Sequence, residues 1–184
     1  MKLFFAALLF ASCFLSGLSA APQTIEFGGV TFVLKFAHPA RSANETAMNL
    51  YIREGDTVPV PSASIEVVHW PKAKSSVDAA RDWLRLYAAK LVDKPKTYPV
   101  GEGKDARDFI LEAMTFFSKP AGQRVLLRRF IHDKDGKGVT SYLYSESWLE
   151  TDGKIGDTAY LAKHDELIKQ LGEMNLPIET AVAK

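Results

Sequence analysis

From Phe109 to Leu149 the side chains alternate with a period of two, and this run constrains the fold more than any other part of the chain. Phe109, Leu111, Ala113, Thr115 and Phe117 alternate with Ile110, Glu112, Met114 and Phe116. The turn signal Lys119-Pro120-Ala121-Gly122 follows, then Arg124 to His132, a second turn-like stretch from Asp133 to Gly138, and Val139 to Leu149. Three strands joined by two tight turns make an antiparallel meander. A helix from Asp105 to Phe117 competes for the first run, because Leu, Glu, Ala and Met are good helix formers. The two β-like runs directly after it favour the strand.

The first half adds more strands. Ile25 to Phe27 and Thr31 to Phe36 flank Gly28-Gly29 and read as a hairpin. Ala47 to Arg53 and Ser64 to Trp70 are further strands, separated by the proline-punctuated connection Glu54 to Ser62. A helix follows, with Ser75 as cap and Asp78 completing a capping box. Its expected apolar stripe is Val77, Ala80, Leu84, Tyr87, Ala88 and Leu91. A second helix begins at a capping Asp157, with Leu161, Leu167, Ile168 and Leu171 as its expected buried stripe. From about Asn175 the chain reads as a loose tail.

Strands plus helices that need a covered face give an α+β fold: an antiparallel sheet of about five to six strands with helices packed on it, in the manner of an α/β/α sandwich. The early strand closes on Phe36-Ala37-His38-Pro39, a helix follows mid-chain, then a long meander and a terminal helix. In that order the chain resembles the extrinsic oxygen-evolving photosystem protein and its exported bacterial relatives. The resemblance implies an α/β/α sandwich and an accessory or binding role at a membrane surface. It implies no functional residue at any position.

Residues 1–20 have the form of an export signal: Lys2, the apolar run Leu3 to Leu15, then small residues up to Ala20. The apolar run is shorter than the roughly 20 residues of a membrane-spanning helix. Cleavage after Ala20 leaves residues 21–184 as one exported domain, periplasmic or secreted, with lipid attachment at Cys13 the minor alternative. It removes Lys2 and the lone cysteine, leaving 22 basic and 22 acidic residues. A neutral balance argues against nucleic acid as partner. Without cysteine no disulfide is available, so stability has to come from a core.

Two groups of candidate site residues emerge. Arg124, Arg128, Tyr142, Tyr144 and Trp148 on the last two strands form an expected aromatic and arginine surface for an envelope protein, a secreted protein or a small ligand. His38, His69 and His132 fall near strand ends, with Asp133 and Asp135 beside the last. Were they to converge, they would supply a metal or acid–base site for a small hydrolase. The loop Asp133 to Gly138 begins like a calcium loop, but its glycine falls at the fourth position and two lysines intrude. Gly101, Gly103 and Ala106 imitate a dinucleotide fingerprint without its parallel-strand setting. No cofactor is called for, and a non-catalytic binding or accessory protein is the leading expectation.

Overall fold

The computed structural model describes residues 21–57, 61–100, 108–118, 121–133, 136, 138–151, 154–155 and 158–178. The leader with Cys13, the Gly101–Ala106 stretch, Lys119-Pro120, Asp135, the Asp157 cap and the last six residues lie outside them.

The chain builds one antiparallel sheet from two meanders. The first is β1 (Thr24–Phe27), β2 (Val30–His38), β3 (Ala47–Arg53) and β4 (Ala63–Trp70). The second is β5 (Lys96–Pro99), β6 (Phe109–Ser118), β7 (Ala121–His132) and β8 (Val139–Thr151), with the two-residue β9 (Lys154–Ile155) beside β8. Each meander pairs its strands in chain order, and β4 pairs with β8 to give β1-β2-β3-β4-β8-β7-β6-β5. The β4–β8 register sets Ala63 opposite Glu146 and Trp70 opposite Val139.

Eight strands in the path exceed the five or six expected. The strand reading of residues 109–117 holds. β5 escaped the sequence reading because Pro95 and Pro99 bracket it, and it earns its strand geometry from pairing Lys96–Pro99 with Phe109–Glu112. A proline at such an edge loses no ladder bond.

One helix covers each face. α1 (Ser76–Tyr87) packs Ala79, Ala80 and Trp83 over Leu111, Ala113, Leu126, Phe130, Val139 and Leu143. α2 (Thr158–Glu173) packs Tyr160, Leu167 and Leu171 over the opposite-parity residues of the same strands, including Ile110, Val125, Leu127, Tyr142 and Tyr144. β7 is therefore covered on both sides, which explains a strand with almost no polar face outside its arginines.

Ser75 caps α1 as expected, and most of the expected stripe faces the core, with Ala80 buried and Leu84, Tyr87 and Leu91 packed on it. Ser75 Oγ accepts the Asp78 N–H at 3.1 Å, and Asp78 Oδ2 accepts the Ser75 hydroxyl at 2.9 Å. Yet Val77 is 64% exposed, and the buried stripe is Ser76, Ala79, Ala80 and Trp83. The largest side chain decides: burying the Trp83 ring against Phe130 outweighs burying Val77, and two alanines let the helix approach. α2 buries Leu167 and Leu171 and packs Ile168 on the core as expected, and departs at one position. Leu161 is 62% exposed while Tyr160, whose hydroxyl finds a carboxylate beneath the helix, is buried. The start of the expected loose tail is also held: Met174, Leu176 and Ile178 pack on the core, and the Tyr142 hydroxyl donates to the Leu176 carbonyl.

The β1–β2 turn is tied to α2. Gly28 and Gly29 both have positive φ (59° and 73°), as a two-residue hairpin requires, and the Gly28 N–H donates to Gln170 Oε1 at 2.7 Å. A Cβ on Gly28 would lie 2.8 Å from Leu167 Cδ2. Gly28→Ala should cost about 1–3 kcal/mol, read as a lowered denaturant midpoint at unchanged slope. Gly29→Ala meets no such neighbour and should cost less; equal losses would show that backbone strain alone sets the effect.

Candidate functional site

β6 and β8 each carry one carboxylate on the face under α2, and the helix supplies partners for both. Glu112 accepts from the hydroxyls of Tyr98 (2.5 Å) and Tyr160 (2.9 Å), and His164 Nε2 lies 3.4 Å away. Tyr98 and Tyr160 also meet the His164 ring, with centroids 5.6 and 5.5 Å apart. Glu146 accepts from the Tyr144 hydroxyl (2.5 Å) and pairs with Lys163 (3.0 Å). The bland expectation for His164, a partly buried and hydrogen-bonded histidine, is what stands there.

Burial on its own would raise the Glu112 carboxyl. Hydrogen bonds from Tyr98 and Tyr160, with the charges of His164 and Lys96, more than offset that and hold it below the usual range. The same contacts raise Tyr98 and Tyr160, first through burial and then through the bond to Glu112 or its charge. A carboxyl depressed in the folded state contributes stability above its unfolded pKa of about 4.3, and loses that contribution as pH falls through the folded value. Glu112→Gln should therefore flatten the acid limb of stability against pH below about 4, measured by urea unfolding at several pH values. An unchanged acid limb would assign it to other carboxylates.

The other face holds a buried ion pair. Arg128 is 2% exposed and donates from Nη2 to Glu66 at 2.9 Å. Its guanidinium carbon lies 5.0 Å from the Trp83 ring centroid and 6.0 Å from that of Trp70. Arg129, the next residue, points the other way. It grips Asp108 at 2.6 Å and donates to the Leu171 and Met174 carbonyls, so it caps the C-terminal end of α2.

The expected arginine and aromatic surface is not formed. The register sets Arg128 opposite Leu143 and Arg124 opposite Ser147, whereas Tyr142 and Tyr144 stand opposite Arg129 and Leu127. Arg124 and Arg128 thus lie on the α1 side, and Tyr142, Tyr144 and Trp148 on the α2 side. Tyr142 and Tyr144 are buried there, and Trp148 packs on Tyr160 with centroids 5.4 Å apart. Alternation within each strand was legible, but which face of β7 matched which face of β8 depends on register.

The strand-end histidines reach one end of the sheet and then separate. His38 turns to Glu45 at 3.4 Å and stacks on Phe36. His69 Nδ1 lies 3.3 Å from Asp133 Oδ2, whose other oxygen accepts from the Thr140 hydroxyl at 3.0 Å. His132 meets only the Asp133 carbonyl, and register places it on the opposite face from His69, since His69 pairs Thr140 and His132 pairs Val139. Among the described residues no group of three or more His, Cys, Asp or Glu side chains is placed to hold a metal ion.

A cleft of about 440 Å³ opens between the β1–β2 hairpin and the C-terminal end of α2. Ile25, Phe27, Met174 and Leu176 give it apolar walls, and among the described residues Glu26 and Glu173 are the charged ones that line it. Its volume falls in the range of small-ligand and peptide sites. β1 is the end of the strand path and pairs with β2 alone. Phe27–Val30 closes the two-residue turn, so Phe27, Ile25 and Gln23 bond to β2, as the Leu34 N–H to Gln23 carbonyl bond confirms. The main-chain groups of Thr24 and Glu26 then point to the free edge. Sequence reasoning missed this site: the Gly28-Gly29 hairpin was visible, but nothing local says that α2 ends beside it.

No family model, no curated protein and no solved structure matches this chain. No helix among the described residues is long and apolar enough to cross a membrane.

Proposed function

We propose that this chain is a non-catalytic exported binding or accessory protein whose contact surface is the cleft between β1 and the end of α2. The observation that carries the reading is the coincidence of that cleft with an unpaired strand edge. The disposition of the ionisable groups supports it. Glu112, Glu146, Arg128, Arg129 and His69 each meet an opposite charge or a hydroxyl within the fold. Groups so engaged stabilise the fold and leave no reactive side chain poised over a hollow.

The test is site-specific photo-crosslinking in the native host. A photoreactive residue at Glu173, on the cleft, should yield a defined adduct, and one at Arg85, exposed on α1, should not. Equal labelling from both positions would overturn the assignment. Sequencing the mature N-terminus in the same cells tests export, with Ala21 the expected first residue.

A second reading, a metal-dependent hydrolase, draws on the His69–Asp133 contact alone, His38 and His132 standing apart from it. It predicts that added zinc raises the unfolding temperature and that His69→Ala abolishes the rise. The binding reading predicts no shift.

A further inference from the structure

We propose that the β1 edge and its cleft take an extended segment of a partner protein that carries a basic side chain, the segment adding to the sheet as a ninth strand of the path. The proposal rests on the binding reading above and specifies its ligand.

The edge supplies the backbone chemistry. Thr24 and Glu26 present N–H and C=O groups outward, and among the described residues no main-chain group pairs with them. An added strand bonds to such groups whatever its sequence, and selectivity comes from what flanks them. Here the flank is the cleft. Ile25 and Phe27 are buried as its floor, and Met174 and Leu176 form the facing wall, so alternate apolar residues of a guest strand have somewhere to go.

Charge picks the guest. Glu26 and Glu173 are both exposed, with no lysine or arginine among the described residues that line the cleft. Glu26 accepts from the Thr31 hydroxyl, at 2.6 Å. Arg129, beneath the end of α2, is engaged by Asp108 and by two helix carbonyls. Glu26 shares its face with Thr31, opposite the apolar floor. A guest whose apolar residues enter the cleft therefore turns its intervening lysine or arginine to Glu26, while Glu173 adds negative charge on the helix side and an acidic guest meets repulsion. The same charges disfavour a second copy. Antiparallel pairing of two β1 edges would set the two Glu26 carboxylates close together on one face.

The test uses the folded protein and two synthetic peptides, acetyl-TVKVT-amide and acetyl-TVEVT-amide, each fluorescently labelled. By anisotropy the lysine peptide should bind about tenfold more tightly than the glutamate peptide, with the gap narrowing at high salt. Amide hydrogen exchange should slow at Thr24 and Glu26 when the lysine peptide is bound. The double variant Glu26→Gln, Glu173→Gln should lose most of the preference and keep the unfolding midpoint. Thr24→Pro removes one edge donor and should weaken both peptides alike. Equal affinities, undetectable binding of the lysine peptide at millimolar concentration, or unprotected Thr24 and Glu26 amides would each overturn the proposal. So would protection of those amides by self-association in the absence of peptide. A partner crosslinked at Glu173, together with failure of the lysine peptide, would retain the cleft as a binding surface and reject the extended basic guest.

Discussion

Glu66→Ala should cost about 3–5 kcal/mol, more than the complementary change Arg128→Met, although both delete the same ion pair. The two partners differ in what they leave behind. Arg128 is 2% exposed, and without Glu66 its charge has no counterion and no route to water. Burial already pushes its proton affinity down and Glu66 opposes that, yet a guanidinium does not become neutral in a protein. The deleted carboxylate therefore leaves a bare buried cation. Glu66 itself is 30% exposed, so when Arg128 is the residue removed the remaining carboxylate can be hydrated, and methionine fills much of the space between Trp70 and Trp83. The double variant Glu66→Leu, Arg128→Met should recover most of the Glu66→Ala loss, because an apolar pair carries no desolvation penalty. Urea unfolding of the four proteins checks this. A Glu66→Ala loss no larger than that of Arg128→Met would mean that water reaches the guanidinium.

Trp83→Ala should cost about 3–5 kcal/mol and unseat α1. The ring is the main anchor of that helix: it packs on Phe130 and Tyr87 with centroids 6.1 and 5.1 Å apart and lies over Arg128. Its neighbours across the helix are alanines, which cannot close the void. Because Trp83 shields the Arg128 ion pair, losses from Trp83→Ala and Glu66→Ala should fall short of additive by about 1 kcal/mol or more. Near-ultraviolet circular dichroism and unfolding curves give both numbers. Retention of the α1 signal with strict additivity would show that the helix docks without its tryptophan.

Those two residues also mark where sequence reading stopped. Ser75, Asp78 and the length of α1 follow from local chemistry, and the strands of both meanders follow from period-two alternation. The helix faces followed in part: Ala80, Leu84 and Tyr87 of α1, Leu91 just beyond it, and Leu167, Ile168 and Leu171 of α2 face the core, and Val77 and Leu161 do not. Val77 and Leu161 are as apolar as the residues that displaced them, and the choice of Trp83 and Tyr160 depends on shapes and carboxylates supplied by strands distant in sequence. The sites fared likewise. Arg128 and Tyr144 belong to adjacent strands, but only the pairing of Leu127 with Tyr144 and of Arg128 with Leu143 decides that they face apart. The cleft joins residues near 25 to residues near 175, so no window of sequence contains it.

Among the described strands the two meanders meet where β4 pairs with β8, and the helices tie the halves together. α1 follows the first meander in the chain and docks on the second; α2 follows the second and reaches back to Gly28 through Gln170. The helix of the first meander therefore lies on the second half, whereas α2 stays on the half it issues from, meeting Glu112 and Glu146, and reaches the first meander at Gly28. During synthesis Trp83 emerges well before β6 to β8 exist to receive it, and the β1 turn waits for Gln170, near the end of the chain. Ring closure over such separations is entropically costly and comes late. Closure over such separations predicts a single cooperative unfolding transition for the whole sheet rather than separate transitions for the two meanders, measured by urea unfolding with two spectroscopic probes.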